Sequence, residues 1–148
     1  MQTLKLPPHN LKIKENDNDT KSIYDELRRK WLVLTPEEHV RQSLLNFLVL
    51  DLNFPKGLIS IEHGFNFANG KQQRVDILIY NKQAEPHILV ECKAPHIKIT
   101  SAVFEQISRY NAVIKAPYII ISNGLEHFCL HTDDFINYKH LNSFPKPL

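Results

Sequence analysis

Cysteine, glycine and net charge are all scarce in this chain of 148 residues, and each shortage removes a class of function. The two cysteines, Cys92 and Cys129, lie far apart with no CxxC or CxxH spacing. Neither a zinc knuckle nor a disulfide framework is signalled, and reduced thiols are expected. Glycine occurs four times and builds no GxGxxG, no GKS/T loop and no GxSxG, which removes dinucleotide-binding, P-loop and hydrolase-triad chemistry. A net charge of +2 is too small for nucleic-acid binding through bulk electrostatics alone, although it permits a local basic patch. No apolar run approaches the roughly 18–20 residues that span a bilayer. The opening MQTLKLPPHNLKIKENDND lacks the apolar stretch of a secretory signal. A cytoplasmic protein with no membrane partner is the expectation.

Against these shortages stands a content of 43% hydrophobic residues. A chain of this length predicts one domain able to bury about 70% of its unfolded surface. Residues 1–20, with Pro7-Pro8 and a polar ENDND stretch, are expected to form an extended arm whose Leu4, Leu6, Leu11 and Ile13 dock on a domain of residues 21–148. Ser22–Trp31 predicts a short helix, with Asp25-Glu26 in its first turn and Arg28-Arg29-Lys30 in its last. Thr35-Pro36-Glu37-Glu38 is a stronger start: threonine as N-cap, proline at the first helical position and glutamate three residues on complete a capping box. Val40, Leu44, Leu45, Leu48 and Leu52 then follow at helical spacing.

From Gly57 the period becomes two. LISIEHGFNF, QQRVDILIYN and HILVECKA predict three antiparallel strands joined by turns at Asn69-Gly70 and near Lys82–Pro86. A helix over about 101–115, a buried strand in PYIIIS and a last strand in LEHFCLHT complete the order α-β-β-β-α-β-β. The buried strand, reached through a helix, is expected to run parallel to the one before it, giving a mixed sheet.

Asp76 and Glu91 sit in apolar strands expected to be neighbours, and Lys93 shares a face with Glu91 because side chains two apart on a strand point the same way. Cys92 then points to the other side, where its thiol is a small hydrophobe rather than a nucleophile. Two carboxylates with one ammonium suit a hard cation such as Mg²⁺, held by one or two carboxylates, waters and substrate phosphate oxygens. The lysine then orients or deprotonates water, or offsets charge developing on phosphate. Between Lys71 and Lys115 seven basic residues face four acids.

These strings resemble the PD-(D/E)XK nuclease superfamily, and more narrowly the N-terminal nuclease domain of type I restriction enzyme R subunits. The matching residues are Val75-Asp76, Glu91-Cys92-Lys93 and the QxxxY pair Gln106 and Tyr110, within RVDILIY, VECKAP, QISRYN and YIIISNG. The resemblance covers roughly residues 35–130 and implies an α/β (α+β) fold with a restriction-endonuclease-like αβββαβ core, its mixed central sheet flanked by helices. It implies a DNA endonuclease using Mg²⁺, with Mn²⁺ as substitute. Asp76, Glu91 and the backbone carbonyl of Cys92 would bind the metal, and Lys93 would act on water. Glu38, with Glu37 as alternative, would complete the site from the first helix, and Gln106 and Tyr110 would orient it against the DNA backbone. Arg74, Lys98 and Arg109 are candidate phosphate contacts. Val75 replaces the proline of the family pattern. Type I R subunits carry a helicase motor after this domain, whereas a stand-alone form is expected here, either as a homodimer or with motor and specificity subunits.

Competing readings accompany each residue. Lys93 with Asp76 or Glu91 also makes sense as a structural ion pair, and Glu38 as a plain capping residue. Gln106 and Tyr110 fit an exposed helix position and a core-edge aromatic. A non-catalytic DNA-binding or partner-docking subunit with the same fold is the alternative function, and RNA an alternative substrate. The eight histidines, including His63, His87, His96, His127 and His131, carry no ligand spacing on a shared site and read as structural or solvent-facing.

Overall fold

The computed structural model describes residues 1–66 and 70–148, so Asn69 of the expected Asn-Gly turn lies outside the described residues while Gly70 takes a positive φ of 79°. Two sheets are present. The smaller consists of β1 (Ile13–Glu15), β2 (Lys21–Asp25) and β3 (Lys30–Val33), antiparallel in that order. The helix expected over Ser22–Trp31 is therefore a hairpin. Asp25 ends β2 by accepting the backbone N–H groups of Leu27 and Arg28 at 2.9 and 3.0 Å, which makes an Asx-type turn, and Arg29 completes the reversal at φ 54°. The charge order suited to a helix dipole serves that turn, and Ile23-Tyr24 and Trp31-Leu32-Val33 supply strand-forming side chains. The expected arm also contributes β1, which pairs with β2 from Ile13 to Glu15.

The helix predicted at Thr35 forms as α1 (Pro36–Asn46), with Thr35 accepting the Glu38 N–H at 3.0 Å. A wider π-helical turn (Phe47–Asp51) continues it, and Asn53, at φ 64°, turns the chain away. After a short 3₁₀ turn come β4 (Ile59–Asn66), β5 (Gln72–Tyr80) and β6 (Pro86–Cys92), the expected meander. The crossover helix α2 (Ser101–Ile114) leads to β7 (Tyr118–Ser122), followed by β8 (His127–His131) and a strand the sequence reading did not anticipate, β9 (Lys139–Leu141). The six strands lie in sequence order, and among the described residues only β6 and β7 pair parallel.

Period-two alternation divides the core between the two faces of this sheet. Ile77, Ile79, Ile88 and Val90 pack with Val40, Leu44 and Leu48 of the α1 segment, and Leu78, Leu89, Ile119 and Ile121 pack with Ile107 of α2. No helix among the described residues is long and apolar enough to cross a membrane.

Leu4 and Leu6 dock on the α1-side core, with the Lys5 N–H donating to the Gly124 carbonyl at 2.7 Å. Gly124 lies at φ +84°, and a β-carbon there would meet Leu4 Cδ2 at 2.7 Å and Val40 Cγ2 at 3.1 Å. Replacing Gly124 by alanine is expected to lower stability by about 1–3 kcal/mol, read by urea unfolding, because left-handed backbone and a steric conflict add.

Candidate active site

The β4–β5 ladder breaks at one place. Ile61 pairs with Ile77 and His63 with Val75, but Glu62 drops out opposite Asp76 and takes φ 53°. Val75 faces the α2-side core and Ile77 the α1 side, so the pleat changes phase at Asp76. That irregularity releases Asp76 from the sheet ladder. Its N–H donates to Glu91 Oε1 at 3.4 Å, and its Oδ2 accepts the Cys92 N–H at 2.7 Å. Asp76 and Glu91 are thus brought together across β5 and β6.

Glu91 is buried, with 8% of its surface exposed. Its carboxyl is pushed up to about 9, first by burial and then by the Asp76 charge and a side-chain hydrogen bond with Asp76. Lys93 opposes the shift through its own charge. The lysine begins where β6 ends, its N–H held by the Ser122 carbonyl at 2.8 Å, and its charge reaches Glu37 as well. Among the described residues its ammonium closes no ion pair, which leaves it available to a ligand.

The sequence reading missed Arg41. Only 7% of its side chain is exposed, yet it donates to Glu38 Oε1 at 2.7 Å and to Asp76 Oδ1 at 2.8 Å. Glu62 and Glu37 lie at 3.4 and 3.6 Å. Burial opposes its charge, but Asp76 and Glu38 outweigh that and hold the guanidinium above its ordinary range. Glu62 also pairs with Arg28 at 3.0 Å, and Arg28 with the fully buried Asp25 at 2.7 Å, so one ionic chain joins the small sheet to the site. A signal for Arg41 existed: it sits between Val40 and Leu44 on the buried side of α1, three residues after Glu38. Glu38 is occupied by this network, with Oε2 accepting from Gln42 Nε2 at 3.0 Å, which places it as the partner of Arg41.

A stability consequence follows from Glu91. Its folded-state value lies above its ordinary value of 4.5, so the folded chain binds the proton more tightly than the unfolded chain does. This contribution to stability is complete below about 4.5 and is lost as pH rises toward about 9. The midpoint of thermal unfolding is expected to fall across that window, and Glu91→Gln to flatten the decline. An unchanged slope in the variant would contradict the assignment.

Tyr110 donates from its hydroxyl to Gln73 Oε1 of β5 at 3.2 Å, and its ring meets Phe65 edge to face at 5.5 Å. Gln106 lies one turn earlier on that helix face, half-buried. Arg74 is 75% exposed with Glu62 at 3.9 Å; Lys98 and Arg109 are exposed. The Cys92 thiol is buried in the α1-side core and pushed far up by that burial, so it is no nucleophile. His127 lies between Ser122 Oγ at 2.7 Å and the Lys5 carbonyl at 2.8 Å. His87 is buried, 3.2 Å from the Lys146 carbonyl.

The donor chemistry fits a hard divalent cation. No group of three or more His, Cys, Asp or Glu side chains among the described residues gathers as a metal site. Mg²⁺ does not require one, since one or two carboxylates with waters and substrate phosphates suffice. Asp76 and Glu91 supply two, and the Glu91 carboxyl, raised first by burial and then by the Asp76 charge, is one that a bound cation would lower again.

The family model described as the type I restriction enzyme R protein N terminus (HSDR_N) matches residues 36–145. Among solved structures, a fragment described as an HsdR subunit of a type I restriction enzyme from Vibrio vulnificus YJ016 is similar in fold, with a TM-score of 0.54 at 19% identity. The match covers 77% of this chain and 24% of that one, so the chain spans about a quarter of its length. Comparison with curated proteins finds no match.

Proposed function

Because the chain belongs to the family of type I restriction enzyme R protein N-termini, we propose that it hydrolyses phosphodiester bonds of DNA with the help of Mg²⁺ or Mn²⁺. The observation that carries this reading is the meeting of Asp76 and Glu91 at the break in the β5 ladder, with the charge of Lys93 acting on Glu91. Asp76, Glu91 and the Cys92 carbonyl would hold the cation, whose chemistry is to polarise a phosphoryl oxygen and make bound water acidic. Lys93 orients the attacking water and stabilises charge developing on phosphate. Arg41 holds Asp76 in place from α1, while Gln106 and Tyr110 support the site from α2. Arg74, Lys98 and Arg109 offer exposed charge to the DNA backbone, so affinity should fall with salt. A second copy of the chain, or motor and specificity subunits, would be its protein partners.

A non-catalytic DNA-binding or docking subunit is the second reading. It draws on Arg41, which already supplies a cation to Asp76. Purified protein incubated with supercoiled plasmid and Mg²⁺ or Mn²⁺ separates the two, with structured RNA as a parallel substrate. Metal-dependent nicking that Asp76→Ala abolishes supports the nuclease; retained DNA binding with no cleavage under either metal supports the docking subunit.

A further inference from the structure

The family match begins at residue 36, and the residues before it carry the chain's whole excess of positive charge, seven Lys and Arg against five Asp and Glu. They build the small sheet. One side of it faces inward, with Ile23 and Asp25 at 0% exposure. The register sets Lys14 opposite Ser22, Ser22 opposite Val33 and Tyr24 opposite Trp31, so Lys14, Tyr24, Trp31 and Val33 share the outward side around a Ser22 that is itself buried. There Trp31 is 42% and Val33 63% exposed. Lys14 Nζ lies 4.2 Å from the centre of the Trp31 ring and Lys12 Nζ 5.3 Å from that of Tyr24. The two rings meet edge to face at 5.3 Å. Glu26 pairs with Lys12 at 3.1 Å, whereas Lys14 closes no ion pair among the described residues.

An exposed indole and a phenol, each with an ammonium over its face, form a stacking platform flanked by exposed positive charge. Base stacking on such rings tolerates any sequence, and a lysine on a flexible stem swings from the ring to a phosphate. A duplex keeps its bases stacked on one another and presents only phosphates, while an acidic peptide engages the lysines and leaves the rings unused. We propose that this face binds single-stranded DNA, with a base stacked on Trp31 and the neighbouring phosphates on Lys14 and Lys12. The face would hold an unpaired stretch of the nuclease's substrate. The identity of the polymer rests on the nuclease reading, but the platform uses none of Asp76, Glu91 or Lys93.

Trp31 is the only tryptophan, so emission excited at wavelengths that tyrosine does not absorb reports on this face alone. The full chain is titrated with oligo-thymidine in EDTA, while the anisotropy of a labelled copy measures binding independently. The expected result is quenching of Trp31 that tracks the anisotropy, weakens with salt and is absent with a duplex of equal length. Lys14→Glu, a change at an exposed side chain, and Trp31→Ala should each weaken oligonucleotide binding on the order of tenfold. Asp76→Ala should bind and quench as the unmodified chain does, so a failure of the cleavage reading leaves this result standing. Binding with unchanged Trp31 emission, binding indifferent to both variants, no binding, or preference for polyglutamate over the oligonucleotide would each overturn the proposal.

Discussion

Arg41→Ala is expected to lower folding stability by about 3–5 kcal/mol, the largest effect of any single substitution near the site, because it leaves buried carboxylates facing one another without their cation. The guanidinium joins Glu38 of its own helix to Asp76 of the neighbouring sheet at 2.7 and 2.8 Å, with Glu62 at 3.4 Å. Removing it strands negative charge in a region where burial and the Asp76 charge already push the Glu91 carboxyl up. Arg41→Lys keeps the charge but loses the planar fork that reaches two carboxylates at once, and an intermediate loss is expected. Urea unfolding of the three proteins checks the order. Equal stability of the alanine variant and the unmodified chain would show that the network is not what seats Asp76.

The second large effect is on rate. Lys93→Ala should lower metal-dependent cleavage by about 10²–10⁴-fold, the usual range for a positioned group that orients or activates a nucleophile. Stability should barely move, since the Lys93 N–H to the Ser122 carbonyl belongs to the backbone and survives the substitution. DNA affinity should fall little by comparison. The split between a lost rate and a retained fold separates Lys93 from Arg41, whose loss moves both. Cleavage by Lys93→Ala at the unmodified rate would remove the lysine from the chemistry.

Local patterns account for most of what the sequence made legible. The Thr35-Pro36 cap, the period-two runs around Asp76 and Glu91 and the apolar strand after α2 are each decided within about ten residues, and the fold follows them. The relation of Glu91 to Lys93 was argued from the same local rule, that two residues along a strand restore the same face, but β6 ends at Cys92, one residue before the lysine. The error at Ser22–Trp31 shows where local reasoning stops: Asp25 and the basic residues after it suit a helix dipole, but the same aspartate closes a hairpin turn by taking the Leu27 and Arg28 N–H groups. Strand β9 is three residues long and carries too little pattern to register. Glu62 was illegible as a site residue, and Arg41 was marked only by a charged side chain on the buried side of α1, because their meeting depends on how α1 seats against the sheet and on a ladder break at Asp76, neither of which has a sequence period.

Calorimetric titration of Mn²⁺ into the chain, bound to a phosphorothioate duplex that resists cleavage, tests the central claim most directly. One ion should bind per chain, and Asp76→Ala and Glu91→Gln should each abolish or strongly weaken that binding without unfolding the protein. Undiminished binding in both variants, or none in the unmodified chain, would contradict a cation held between these two carboxylates.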